Sequence, residues 1–228
     1  MKIDDLTDAS DGQGNNNLFL GLYAGSTNTS GGSNNTAVGR SALKDLTTGD
    51  HNTSMGYASL FDHIAGNSNT SIGSYSMTYG DINNTGNTVV GYAAMRGISS
   101  SKFNNASYNT ALGYYTLANI TTGDYNTAFG SSALRSLTSG TGNNAFGRHA
   151  LFSNQTGNYN VALGERSGYS TTGEKNVFLG YSAGYYETGS NKLYIDNSST
   201  TMPLIKGDFT ANTVEVNGDL ETNDLKVN

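Results

Sequence analysis

Few residues in this chain are of the types that do chemistry. There are three histidines, His51, His63 and His149, and no cysteine. His51 and His63 fall in turn or loop slots, and His149 in a variable pair after Gly147, which predicts surface positions for all three. A zinc site needs ligands clustered at short spacings, and none are spaced that way. The carboxylates include Asp50, Asp62, Asp81, Asp124, Glu165, Glu174 and Glu187. Asp50 and Asp124 both follow Thr-Thr-Gly, where aspartate hydrogen-bonds its own turn backbone. Two carboxylates flanking a sugar could instead cleave a glycosidic bond, but that chemistry needs a cleft, which uniform units do not build. Asp11-Gly12-Gln13-Gly14-Asn15 carries a few oxygen ligands without the spacing of a calcium loop. No catalytic, metal or cofactor-binding residue is assigned, and the chain reads as a non-enzyme.

Binding chemistry is better represented. Between Gly91 and Gly113 a repeated unit swells to 22 residues. Insertions of this kind map to loops on one face of a repeat protein, often the binding face. The candidate ligand-binding residues there are Arg96, Lys102, Phe103, Asn104 and Tyr108. Cations, aromatic rings and amides together suit a sugar. Tyr57, Tyr92, Tyr114 and Tyr181, each directly after a glycine, make a second candidate patch.

The elements that must position these residues come from a repeat. The phrase Asn, often Thr, a small residue, a large apolar residue, then Gly occurs ten times, as in Asn35-Thr36-Ala37-Val38-Gly39 and Asn126-Thr127-Ala128-Phe129-Gly130. Its closing glycines are Gly21, Gly39, Gly56, Gly73, Gly91, Gly113, Gly130, Gly147, Gly164 and Gly180, spaced by 18, 17, 17, 18, 22, 17, 17, 17 and 16. So short a period predicts an all-β parallel solenoid of about ten 17-residue coils, each burying its apolar side against its neighbours. A second apolar beat, as in Arg40-Ser41-Ala42-Leu43, predicts a second strand-like piece after the glycine. Side chains alternate along a strand. With the large residue taken as inward, Thr36 and Val38 face the core, and Asn35 and Ala37 face out. An inward Thr column speaks against ice binding. The Asn column predicts stacked amides bonding from coil to coil at a corner. Gly25, Gly168 and Gly184 replace Leu or Met at the ends, as solenoid caps often differ.

Composition sets further bounds. Of 228 residues only 13% are charged and 35% apolar, with net charge −6. Without a basic cluster, nucleic acid and anionic membranes are not expected partners. No apolar run approaches the roughly 20 residues of a membrane span. Met1 to Asp5 carries no apolar signal region, so export is expected by another route or with a leader outside this sequence. A 17-residue coil encloses little core. Association of like chains about the long axis, as a homotrimer, would cover the remaining apolar surface. Residues 1–15 read as an attachment segment, 16–189 as the repeat domain, and 190–228 as a non-repeat β region. Lys192–Asp196 and Thr213–Val216 are its strands, and a stalk or chaperone junction follows.

The units Asn-Thr-Ala-(Val/Leu/Phe)-Gly-x-x-Ala-Leu with Thr-Thr-Gly turns resemble the head repeats of trimeric autotransporter adhesins. The longer unit here, with Leu193-Tyr194-Ile195-Asp196-Asn197 and Pro203 to Phe209 after it, resembles phage and bacterial fibre proteins in which such a segment precedes an endosialidase-type intramolecular chaperone domain. The resemblance implies a left-handed β-roll, an intertwined homotrimer and an extracellular place on a virion tail, injection-system fibre or bacterial surface. It implies a structural or adhesive fibre segment presenting a face to a host-surface glycan or protein receptor. No membrane-anchoring barrel or chaperone sequence follows here, leaving open a fragment, a processed shaft or a short fibre. A tail-spike-like glycan-depolymerising enzyme is the alternative, and an ice-binding protein a third reading.

Overall fold

In the computed structural model, residues 16–28, 31–79, 83–98 and 105–219 are described. Ten three-residue strands occur one per coil: β1 Leu18–Leu20, β2 Thr36–Val38, β3 Thr53–Met55, β4 Thr70–Ile72, β5 Thr88–Val90, β6 Thr110–Leu112, β7 Thr127–Phe129, β8 Asn144–Phe146, β9 Val161–Leu163 and β10 Val177–Leu179. Each pairs in parallel with the next, so equivalent residues lie one above another. β11 (Lys192–Ile195) continues in parallel. β12 (Ile205–Asp208) and β13 (Thr213–Val216) add an antiparallel end to one 13-stranded sheet. The chain is a β-solenoid of about ten turns.

Only the first apolar beat of each unit is a strand. The second is a turn, which corrects the expectation of two strands per coil. Ser41 and Leu43 take left-handed φ values of 58° and 49°, and the pattern recurs down to His149 and Leu151. A left-handed leucine costs roughly 1–2 kcal/mol. The turn accepts that cost because it lets backbone groups bond to both neighbouring rungs. Ser41 N–H donates to Leu22 O at 2.9 Å in the rung before, and Leu43 N–H to Ser59 O at 3.0 Å in the rung after.

The strand faces are reversed from the sequence expectation. The middle residues point in: Ala37, Ser54, Ser71, Val89, Ala111, Ala128, Ala145 and Ala162 are fully buried. The large residues point out, with Met55 at 45%, Phe146 at 38% and Leu163 at 54% exposure. The reason is the thinness of the coil. Leu43, Leu60, Met77, Leu117, Leu134 and Leu151 already fill the interior, leaving room mostly for Ala or Ser opposite, with Val89 facing the flexible Met95 as the larger exception. Where the strand's middle residue is large, the facing residue shrinks. A Cβ on Gly25 would lie 2.4 Å from the Phe19 ring, and one on Gly184 would lie 2.2 Å from the Phe178 ring. The end glycines therefore exchange volume with phenylalanine, as close packing demands.

A side-chain amide ladder closes the opposite corner of every strand. The backbone N–H of Asn52 donates to Asn35 Oδ1 at 2.8 Å, and Asn52 Nδ2 donates to Gly66 O at 2.8 Å. The chain of bonds starts at Asn17 Oδ1, which accepts from Asn35 N–H, and ends where Lys192 N–H donates to Asn176 Oδ1 at 2.8 Å. The asparagines from Asn35 to Asn176 are fully buried. Their amides serve as backbone substitutes, satisfying donors and acceptors that would otherwise be stranded in the interior.

Candidate functional site

Because strand alternation turns Thr and the large apolar residue outward together, the sheet presents two adjacent columns along the rod. One holds Thr36, Thr53, Thr70, Thr88, Thr110 and Thr127 in register, then Asn144, Val161 and Val177. The other runs Val38, Met55, Ile72, Val90, Leu112, Phe129, Phe146, Leu163 and Leu179. Neither column contains a charged residue. Phe129 and Phe146 stack at 5.1 Å with planes 10° apart. The inward Thr column of the sequence reading is thus corrected: the threonines line the outer surface, Thr88 exposed and the others partly buried.

Of the five candidate loop residues, Lys102, Phe103 and Asn104 lie outside the described residues. Arg96 and Tyr108 serve different columns. Arg96 lies over the Tyr79 ring at 5.9 Å, while Tyr108 stacks face to face on Tyr125 at 5.2 Å and 6°. The Arg96 Nε is buried and has no hydrogen-bond acceptor among the described residues.

Three of the four tyrosines after glycine, Tyr57, Tyr92 and Tyr114, join in a patch over part of the rod, and Tyr181 stands apart from it. Tyr57 meets Tyr75 edge-on at 5.1 Å, Tyr75 meets Tyr92 at 6.0 Å, and Tyr92 stacks on Tyr114 at 5.5 Å. Tyr75, one residue further from its glycine, completes the row and was missed. A further aromatic column was also missed. Tyr108, Tyr125 and Tyr159 each stand immediately before a ladder asparagine, and each is more than half exposed with left-handed φ near 57°. Their common offset from Asn109, Asn126 and Asn160 was the available signal. On another side Phe152, Tyr169 and Tyr185 stack at 5.1 and 4.8 Å.

His51 is exposed, as expected, but other titratable groups are placed differently. His63 is not on the surface: it is fully buried, at the position Leu46 and Leu137 hold in other coils, with Nε2 3.2 Å from Asn69 Nδ2. Its Nδ1 has no partner among the described residues. Burial pushes its pKa down to about 4, with the Gly66 backbone opposing. Partial burial, then Arg148 and Arg166, also lower His149. Asp50 and Asp124 do not bond their own turns. Asp50 Oδ1 accepts from Ser33 N–H at 2.7 Å and Asp124 Oδ1 from Ser107 N–H at 2.8 Å, each tying its rung to the one before. Burial, followed by neighbouring Asp45, raises the Asp62 carboxyl. Among the described residues no three His, Asp or Glu side chains come together as a metal-holding group.

His63 makes stability depend on pH. Unfolded, its pKa is about 6.5. Folded, it is lower, so the unfolded chain takes up the proton first and stability falls as pH drops from about 6.5 through 4. The expected total is about 3 kcal/mol. Urea titrations at pH 7.5 and pH 4.5 should show His63→Leu losing markedly less stability than the parent. Equal losses would contradict the buried neutral ring.

Comparison with family models, with curated proteins and with solved structures finds no match to this chain.

Proposed function

We propose that this chain is a structural and adhesive segment of a homotrimeric extracellular fibre, carried on a virion tail, an injection apparatus or a bacterial surface, and that it presents a face to a host-surface glycan. One observation carries the reading: an uncharged, outward strip of large aliphatic and aromatic side chains runs through all ten coils. Met55, Phe146 and Leu163 are exposed and the rest of the strip is half-buried, and an apolar patch of this kind on the surface marks a contact face. A sister copy has the same rise per rung, about 4.8 Å, so its columns stay in step with this one over the whole length. Three copies closed about the axis would bury every strip and leave the turns and tyrosine columns outside for a receptor.

Light scattering at micromolar concentration tests this. The expected particle mass is three times the 23.9 kDa chain. A monomer with all strips in water would overturn the reading.

The outward threonines give ice binding a specific observation in its favour, since six stand one per rung on one surface. The neighbouring column varies from Val to Met to Phe, which roughens the flat surface that ice would need, so the protein contact is preferred. Thermal hysteresis in a freezing-point assay would reverse that preference.

A further inference from the structure

The column Tyr108, Tyr125, Gly142, Tyr159 is a stack of rings with one ring left out. Tyr108 and Tyr125, on adjacent rungs, stack at 5.2 Å with planes 6° apart. Tyr108 leans over Gly86 on the rung before it: a Cβ built there would lie 2.8 Å from Tyr108 Cδ1. Tyr159 leans over Gly142 in the same way, at 2.7 Å from its Cδ1. Tyr108 and Tyr159 therefore lean alike towards the rung before. Tyr125 and Tyr159 are two rungs apart, roughly 10 Å at the usual rise, with no side chain from Gly142 between them. Both are well exposed, at 61% and 59%.

We infer that the space between the Tyr125 and Tyr159 rings binds one hexopyranose ring of a glycan, with the Tyr159 ring swinging back from Gly142 to admit it. Ring centroids pack at about 4.5–7 Å, so a gap of two rungs takes one inserted ring and no more. A pyranose with equatorial hydroxyls offers C–H groups on both faces, which sit against the negative faces of the tyrosines, and hydroxyls around its rim. Thr141, just before Gly142, supplies a hydroxyl beside the floor, where it accepts from Asp124 N–H at 3.4 Å. A nucleobase would fit the height equally well, but the chain has net charge −6 and no basic cluster to meet a phosphate. The site rests on the glycan-presenting reading above and gives that reading a place on the rod.

The sequence supplies a variant that fills the site without disturbing the backbone. Gly142 has φ 70°, and tyrosine occupies the same slot at φ 57–58° in Tyr108, Tyr125 and Tyr159. Gly142→Tyr should complete the stack once the Tyr159 ring shifts as Tyr125 does over Tyr108. The chain contains no tryptophan, so tyrosine fluorescence reports directly. Cellotriose and galactotriose are titrated into the intact protein, following that signal and the Gly142 amide resonance. At least one should bind at about 1 mM. Gly142→Tyr should weaken it at least about tenfold while melting no lower than the parent. Tyr125→Leu should weaken it similarly, and remains decisive if Gly142→Tyr misfolds. No binding of either sugar, or binding that survives the filled gap, overturns the site. Preferential binding of N-acetyltyrosinamide does so too, since it would make the occupant an aromatic side chain. These outcomes are separable from the fibre reading. A glycan array probed with the parent protein and with Gly142→Tyr would show equal binding if the fibre reading holds and the gap is wrong, and no binding by either if glycan presentation itself fails.

Discussion

Replacing Asn126 with alanine is expected to remove about 3–5 kcal/mol of stability. This amide accepts from Asn143 N–H and Asn143 Nδ2, both at 3.0 Å, and donates to Gly140 O at 2.9 Å and Asn109 Oδ1 at 3.0 Å. It is fully buried. Truncation leaves at least the Asn143 N–H and the Gly140 carbonyl without a partner where water does not reach. Each such group costs about 1–3 kcal/mol. It also opens a void mid-ladder, where neighbouring amides polarise one another. Urea denaturation at fixed protein concentration measures the loss. Asn158→Ala, at a partly exposed corner, serves as the comparison and should cost about 1 kcal/mol, since the two groups that lose a partner, Thr141 N–H and the exposed Glu174 carboxylate, lie where water can replace it. Equal effects at the two positions would mean the ladder is no more than a row of polar contacts.

Gly164→Ala is expected to be comparably severe, by a different route. Gly164 sits at φ 137°, outside the region ordinary residues adopt. A Cβ there would lie 2.3 Å from Gly180 O and 2.6 Å from its carbonyl carbon. Both are backbone atoms fixed by rung pairing, so nothing can rotate away. A strained backbone costs about 1–3 kcal/mol, and separating two rungs adds to it, for an expected loss of about 4 kcal/mol or more. Gly142→Ala makes the contrast. Its φ of 70° is near the 57–58° that tyrosines adopt in equivalent slots, and the atom nearest its new methyl is on the Tyr159 ring, which can swing outward. That variant should lie within about 1 kcal/mol of the parent. Calorimetric melts of the two variants would separate conformational strain from mere substitution of a glycine. A mild Gly164→Ala would show that the rungs sit further apart than their pairing implies.

The repeat itself was plainly legible. Ten Asn…Gly phrases at a near-constant interval specify stacked coils, and the strands fall on Thr36–Val38, Thr53–Met55 and their equivalents. The buried Leu43 to Leu151 column and the Asn ladder could also be read directly. The direction of the strands could not be read from residue size, because size usually tracks burial. In so thin a coil the interior is one side chain deep, and the leucine across the turn has taken it. The correcting signal was present in the chain: Phe19 beside Gly25 and Phe178 beside Gly184 show large and small trading places across one space. His63 escaped for a related reason. It stands where other coils carry leucine, but the position was read as a turn because its residue is polar. The left-handed leucines had no sequence signal at all, since leucine rarely adopts that conformation. The tyrosine column lies just outside the repeated phrase, one residue before its asparagine, in a slot that other coils fill with Asn34, His51, Ser68 or Lys175, so no shared residue type marks it.

Among the described residues every rung of the rod bonds only to the rung on either side, and most share one 17-residue plan. Length can then change in whole steps. Removing one unit, for example the residues from Thr121 to Leu137, would bring two matching surfaces together and shorten the rod by about 4.8 Å. The uncharged strip and the amide ladder would stay continuous across the join. Such a chain is a ruler with interchangeable divisions, on which the distance between its ends can be reset by duplication or loss without redesigning any contact.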